Sequence, residues 1–277
     1  MNMLPPGRFL MPGDLAGSPA VTFAPLDLPR GESAPSASLW AMMASRYEAY
    51  RAKVVRPFFR EHFARLDRQI VLADVLSAIN AGPEALSDLE QTLAAISACF
   101  NTGRRTILSS IFKPRVDRIL FAATKADHLH HLQHDRLENI LSRMVKRAAS
   151  RSELAGAKTD AIAMAAIRAT REAVVTRGGE KLPAIVGTPL AGERIGEEVF
   201  DGVKETAVFP GDLPELIEGE NREWKFRGLA AGSHDETDFR FLKFRPPLIE
   251  ASAGAEPALP HIRLDRALQF LTGDRLE

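Results

Sequence analysis

The stretch Arg118-Ile-Leu-Phe-Ala-Ala-Thr-Lys-Ala-Asp127 joins a short apolar run to an abrupt polar end. The run Ile119 to Ala123, flanked by charge, is the pattern of a strand covered on both faces in a parallel sheet. Downstream, Leu137, Ile140, Leu141, Met144, Val145 and Ala148 recur at three- and four-residue spacing, with Asp135, Arg136, Glu138, Arg143 and Arg147 mostly between them. That spacing predicts an amphipathic helix. Asp127 therefore falls at the carboxyl end of a strand, where open α/β sheets hold their ligands.

Thr124-Lys-Ala-Asp127 has the [Asn/Thr]-Lys-x-Asp form with which GTP-binding proteins read guanine. A carboxylate at Asp127 can accept both the ring N–H and the exocyclic amine of guanine, two parallel charge-assisted bonds that adenine cannot supply. The stem of Lys125 would cover the base and sugar while its ammonium stays near water. The competing reading of the same four residues is a surface turn whose Asp starts a helix.

Two further strands flank this one. Gln69-Ile-Val-Leu-Ala-Asp74 is a buried run ending in an acid, and helix signals resume at Glu84 after the Gly82-Pro83 break, with Leu86, Leu89, Leu93, Ile96 and Phe100 on one face and Gly103 at the end. Cys99 falls within this pattern and reads as a core residue. Asp160 to Met164 gives the third strand, and Ala165 and Ala166 beyond it are small enough to let a backbone N–H approach the guanine carbonyl oxygen. Strand and helix alternate as in a parallel sheet. Asp74 could hold magnesium through water, but reads as structural.

The remaining segments are organised around this part. Residues 1–38 are rich in Pro and Gly and read as loop. Ser38 caps a helix with Leu39, Met43, Tyr47, Tyr50 and Val54 on one face, which Pro57 kinks or divides before the core aromatics Phe58, Phe59 and Phe63. The α/β part is expected over 39–175 and a β-containing insertion over 176–250, with strands at 184–186, 205–209 and 239–244. A small-residue linker and closing helix occupy 251–277.

Lys plus Arg and Asp plus Glu number 36 each, so there is no basic footprint for nucleic acid or anionic membrane, and the expected partners are small molecules or proteins. One cysteine excludes an internal disulfide framework and fits a reducing cytosol. No run approaches the roughly 20 apolar residues of a spanning helix. A cytoplasmic protein that is not an integral membrane protein is expected.

The three strands, together with Gly7-Arg-Phe-Leu-Met-Pro-Gly-Asp-Leu15, Arg68-Gln-Ile-Val-Leu-Ala-Asp-Val75, Pro114-Arg-Val-Asp-Arg118, Thr124-Lys-Ala-Asp-His128, Pro260-His-Ile-Arg-Leu-Asp265 and Leu268-Gln-Phe-Leu-Thr-Gly-Asp274, resemble the YcjX-like family of bacterial P-loop NTPases across nearly the whole chain. The resemblance implies a GTPase that uses GTP and Mg2+, with a stress-associated role. It also implies a Gly-x-x-x-x-Gly-Lys-Thr phosphate loop and an Asp-Tyr-Pro-Gly switch segment. Neither motif occurs in this sequence; Gly156-Ala-Lys-Thr159 has no glycine-rich loop before it. The expectation is an incomplete P-loop-type parallel sheet with helices on both faces: the C-terminal part of such a protein. Thr124, Lys125, Asp127, Ala165 and Ala166 would form its base site, with no catalytic or metal-holding residues of its own and no turnover unaided.

Two other readings compete. The chain could be a non-enzymatic interaction module, with 176–250 contacting a partner protein and a vestigial nucleotide site. Alternatively, His128, His130, His131 and His134 could bind a metal, since His130 and His134 stand one helical turn apart, although no distant ligand is evident.

Overall fold

A computed structural model describes residues 23–24, 26, 35–61, 66–99, 116–177, 179–195, 197–213, 215–218, 224–227, 241–247 and 259–276. The chain divides into two compact units, residues 1–66 with 105–115, and residues 67–104 with 116–277.

In the first unit, α1 (Leu39–Tyr50) starts at Ser38, whose hydroxyl accepts the Ala41 N–H at 3.2 Å. The helix runs through a π-turn at Arg51–Val55 into α2 (Arg56–Glu61). Pro57 has no N–H to donate back into the preceding turn, so the ladder widens there and the Arg56 N–H reaches Arg51, five residues back. The expected break is thus absorbed within a continuous helical segment. Phe23 packs edge-on against Tyr47, and the Trp40 indole donates to the Leu26 carbonyl at 3.0 Å. Phe63, Phe100 and Gly103 and the side chains of Phe59 and Cys99 lie outside the described residues.

The second unit is α/β. β1 (Arg68–Ala73), β2 (Arg118–Ala123) and β3 (Lys158–Ala163) form a parallel sheet in that order, adjacent and in the orientation the sequence predicts. Ala73, Ala123 and Ala163 stand level at the carboxyl edge. β3 starts and ends earlier than expected because Lys158 and Thr159 already pair with Arg118 and Ile119.

Between β1 and β2 run α3 (Val75–Ala81) and α4 (Pro83–Cys99). The short α3 is absent from the sequence reading. Asp74, which reads as the end of a strand, is instead its cap, accepting the Ser77 N–H at 3.1 Å. On α4, Leu86 and Leu93 are buried, but Ile96 is exposed and Ser97 takes the inner position. α5 (His134–Leu154) packs on β2 and β3 and buries all six of its expected apolar positions. Both faces of β2 are covered: Leu120 and Ala122 lie with Ile162 and Met164 under α6 (Leu264–Thr272), and the alternate residues Ile119, Phe121 and Ala123 are equally buried. Arg68 and Arg118 hold the end of α6 through Asp274, at 2.5 and 3.1 Å. Over β1 the same face is open, with Ile70 41% and Leu72 61% exposed.

The later part is antiparallel. β4 (Arg171–Arg177) pairs with β5 (Glu180–Gly187), which pairs with β8 (Thr206–Val208). Two hairpin-like pairs accompany them, β6 (Arg194–Ile195) with β7 (Glu198–Val199), and β9 (Glu215–Glu218) with β10 (Trp224–Arg227). β4 crosses position 176, so the antiparallel part grows directly out of the loop after β3.

The predicted strand 239–244 is not found in its described part, 241–244, where Phe244 makes only one isolated bridge, to Pro189. The Lys243 N–H is taken by the Glu193 side chain at 3.0 Å, and Pro246-Pro247 supply no donors, so the ladder cannot extend. Phe241, Leu242 and Phe244 are buried all the same. No helix among the described residues is long and apolar enough to cross a membrane.

Gly187 ends β5 under this packing. A Cβ there would stand 2.8 Å from the Phe244 ring, 3.1 Å from the Thr170 methyl and 3.2 Å from the Ala169 carbonyl. Gly187→Ala is therefore expected to lower the free energy of urea unfolding by about 1–3 kcal/mol, as overpacking does. Unchanged stability would mean that this contact is looser than described.

Candidate functional site

The level strand ends bring three loops together. After β2, the Thr124 N–H donates to the Ala73 carbonyl at 2.9 Å, and the Ala126 N–H to the Met164 carbonyl at 3.2 Å, so Thr124-Lys-Ala-Asp127 is fastened to both neighbouring strands. Lys125 between them takes a left-handed backbone conformation, φ 64°. Its ammonium lies 2.5 Å from Asp74 Oδ2. The sequence reading leaves this ammonium in water; here it is half-exposed and ion-paired. Burial pushes the Asp74 carboxyl up, but the bonds from Lys125 and Ser77 outweigh this and hold it below the usual carboxylate range. Asp74 Oδ1 thus accepts from Ser77 and Oδ2 from Lys125.

Asp127 lies in a single turn of 3-10 helix, Ala126–His128, and is 4% exposed, so it is neither at the surface nor the start of a long helix. Its Oδ2 accepts the Ala169 N–H at 2.9 Å, and its carbonyl accepts the Thr170 hydroxyl. A carboxylate has about four lone-pair sites, so one backbone bond leaves capacity for the two donors of a guanine edge. Beside this turn is an open cavity of about 310 Å3, of a size suited to small ligands, bordered by Lys125, His128, Asn80, Glu193 and Lys243.

Of the two small residues beyond β3, Ala165 is buried and exchanges both backbone bonds with Ile262, its N–H donating at 3.1 Å and its carbonyl accepting at 2.8 Å. Its N–H is therefore already committed. Ala166 next to it is exposed. The Arg168 N–H donates to Pro260 at 2.7 Å, so Pro260-His-Ile-Arg-Leu-Asp265 braces the loop on which both alanines stand. Arg263 reaches back from this segment to Asp135 at 2.6 Å and Glu138 at 2.9 Å on α5.

The four histidines behind Asp127 separate. His134 is buried with Nε2 2.8 Å from the Ala126 carbonyl, and His128 meets the Phe244 ring edge-on. His130 and His131 lie with their rings 4.3 Å apart beside Glu172, a residue that sequence reading does not nominate because it is 41 positions away. His131 Nδ1 is 2.7 Å and His130 Nε2 4.0 Å from Glu172 Oε2. Burial raises the Glu172 carboxyl, but the bond from His131 and the charges of His131, His130 and Arg168 bring it below its ordinary value.

Burial pushes the His134 imidazole down, more than its bonds to the Ala126 and Leu129 backbone push it up. The unfolded chain therefore holds more protons at this residue below the ordinary imidazole value of about 6.5, so stability should fall as pH drops through that value. In urea unfolding across pH 8 to 5, His134→Leu is expected to flatten this slope. At pH 8 it should cost about 0.5–1.5 kcal/mol through the lost bond to the Ala126 carbonyl, which keeps the Leu129 N–H at 3.1 Å. An equal slope in the variant would assign the pH dependence to another group.

A profile of the YcjX-like family, DUF463, matches residues 1–276. Among curated proteins, the Ras-like GTPase YcjX of Escherichia coli strain K12 is 36% identical over 282 residues, covering 100% of this chain and 55% of the relative. The Ras-like GTPase YcjX of Shewanella oneidensis strain MR-1 is 34% identical over 281 residues, covering 98% of this chain and 53% of the relative. The chain spans about half the length of these curated relatives.

Proposed function

The chain belongs to the YcjX-like family, and from that premise we propose that it is the base-recognising part of a cytoplasmic guanine-nucleotide-binding GTPase. The observation that carries this reading is the seat of Asp127: a carboxylate at the end of a parallel strand, oriented by the Ala169 N–H, in a turn whose Lys125 and His128 line the neighbouring cavity. Asp127 would accept the ring N–H and exocyclic amine of guanine, and Thr124 and Lys125 would frame the base and sugar. The Ala166 N–H would donate to the guanine carbonyl, in place of the Ala165 N–H that Ile262 occupies.

The phosphate groups would be handled elsewhere in a longer polypeptide. Phosphoryl transfer needs backbone amides and a lysine around the phosphates and a held magnesium ion. In this reading those groups lie outside residues 1–277, and the chain alone does not turn over GTP. Two observations support it. The relatives are about twice as long, and the open face of β1 carries Ile70 and Leu72, whereas parallel sheets are covered on both faces.

The test is base choice in the polypeptide carrying its phosphate-binding part. Competition among GTP, ATP and XTP should show wild type preferring GTP. Asp127→Asn should weaken GTP by about tenfold or more, since a charge-assisted bond contributes about 1.5–3 kcal/mol. Asparagine presents an amine where an acceptor is needed, so XTP, with an acceptor at that position, should bind the variant better than GTP does. An unchanged ranking would remove Asp127 from the nucleotide site.

A further inference from the structure

We propose that His130, His131 and Glu172 form a binding site for a divalent transition-metal ion of the zinc class. Their ligand atoms all lie within 4.8 Å of one another, and they come from two elements, the loop after the Asp127 turn and β4. Two imidazoles and one carboxylate are a borderline-soft set that suits Zn2+ and disfavours Mg2+ or Ca2+, which take oxygen ligands. Three protein ligands leave a fourth tetrahedral position for water, and the exposed His131 puts that position at the solvent.

Groups around the carboxylate already orient it. Glu172 Oε1 faces the Arg168 guanidinium at 3.5 Å and the His131 backbone N–H at 3.3 Å, which turns Oε2 toward the two rings. Such outer bonds are what fix a ligating carboxylate. Two contacts have to yield: the ion displaces the proton that His131 Nδ1 shares with Glu172 Oε2 at 2.7 Å, and the Leu132 N–H stands 3.4 Å from His130 Nδ1, where coordination through Nε2 puts the imidazole proton. The second is, at that length, a weak bond to exchange.

The position gives the site a consequence. Ala169 and Thr170, which hold Asp127, lie just before Glu172, and His130 lies just after Asp127. An ion joining His130 and His131 to Glu172 would tie together the two segments whose mutual bonds aim the Asp127 carboxylate.

The experiment uses the full chain without an affinity tag, dialysed against chelator and titrated with ZnCl2 by calorimetry in the absence of nucleotide, so that its outcome is independent of the base-reading proposal. Wild type should bind one ion per chain, and Co2+ in its place should give visible ligand-field absorption. Glu172→Gln and His131→Ala should each weaken binding by about tenfold or more. The double variant His130→Ala/His131→Ala should lose it, and His261→Ala should leave it unchanged. Zn2+ should raise the thermal midpoint of wild type and not of the double variant, whose far-UV circular dichroism reports whether it is folded. No stoichiometric binding by wild type, or binding that all these variants retain, would overturn the site.

Discussion

The in-register parallel pairing of β1, β2 and β3 is the constraint on which the site depends. With Ala73, Ala123 and Ala163 at one level, the chain leaves all three strands at the same height. Asp74 then meets Lys125, and the backbone of Thr124 and Ala126 reaches Ala73 and Met164. A register slip of one residue would reverse which side chains face α6 and move each of these loops along the strand axis. Both faces of β2 are buried, so side-chain size sets the register: a slip of one residue would put Phe121 into the space that Ala122 now fills. Overpacking of that kind costs about 1–3 kcal/mol.

Much of this frame was legible in the sequence because a strand buried on both faces must be continuously apolar, and because the α5 stripe from Leu137 to Ala148 leaves little choice of face. The placement of the Thr124–Asp127 segment at a strand end followed from the same pattern. Less legible was anything that depended on a partner far along the chain. α3 has no sequence signature because seven residues are too few for a periodic signal, and its capping residue Asp74 looks like the end of a strand. The segment 239–244 shows the opposite failure, in which alternation is present but the ladder stops at one bridge: Lys243 and Arg245 bond to Leu190 and Thr188, then Glu193 takes the Lys243 donor and the prolines lack others. Glu172 and the commitment of the Ala165 N–H to Ile262 are long-range pairings with no local signature.

The antiparallel part and the C-terminal segment act as supports for the strand ends. Ala169 and Thr170, at the root of β4, bind both the side chain and the carbonyl of Asp127. Pro260 and Ile262 brace the loop from Ala165 to Arg168 from the other side, and Arg263 ties that brace to α5. Exposed ion pairs such as Arg171–Glu205 add little beside this, about 0–1 kcal/mol.

Asp127 and the loop braced beside it are proposed to form a guanine-reading edge. The most direct measurement is an amide NMR titration of this chain with millimolar GDP and, separately, ADP, conditions that detect weak binding. GDP is expected to shift the amides of Lys125 to His128 and of Ala166 to Ala169, while ADP leaves them in place. Equal shifts with both nucleotides, or shifts confined to other parts of the chain, would contradict it.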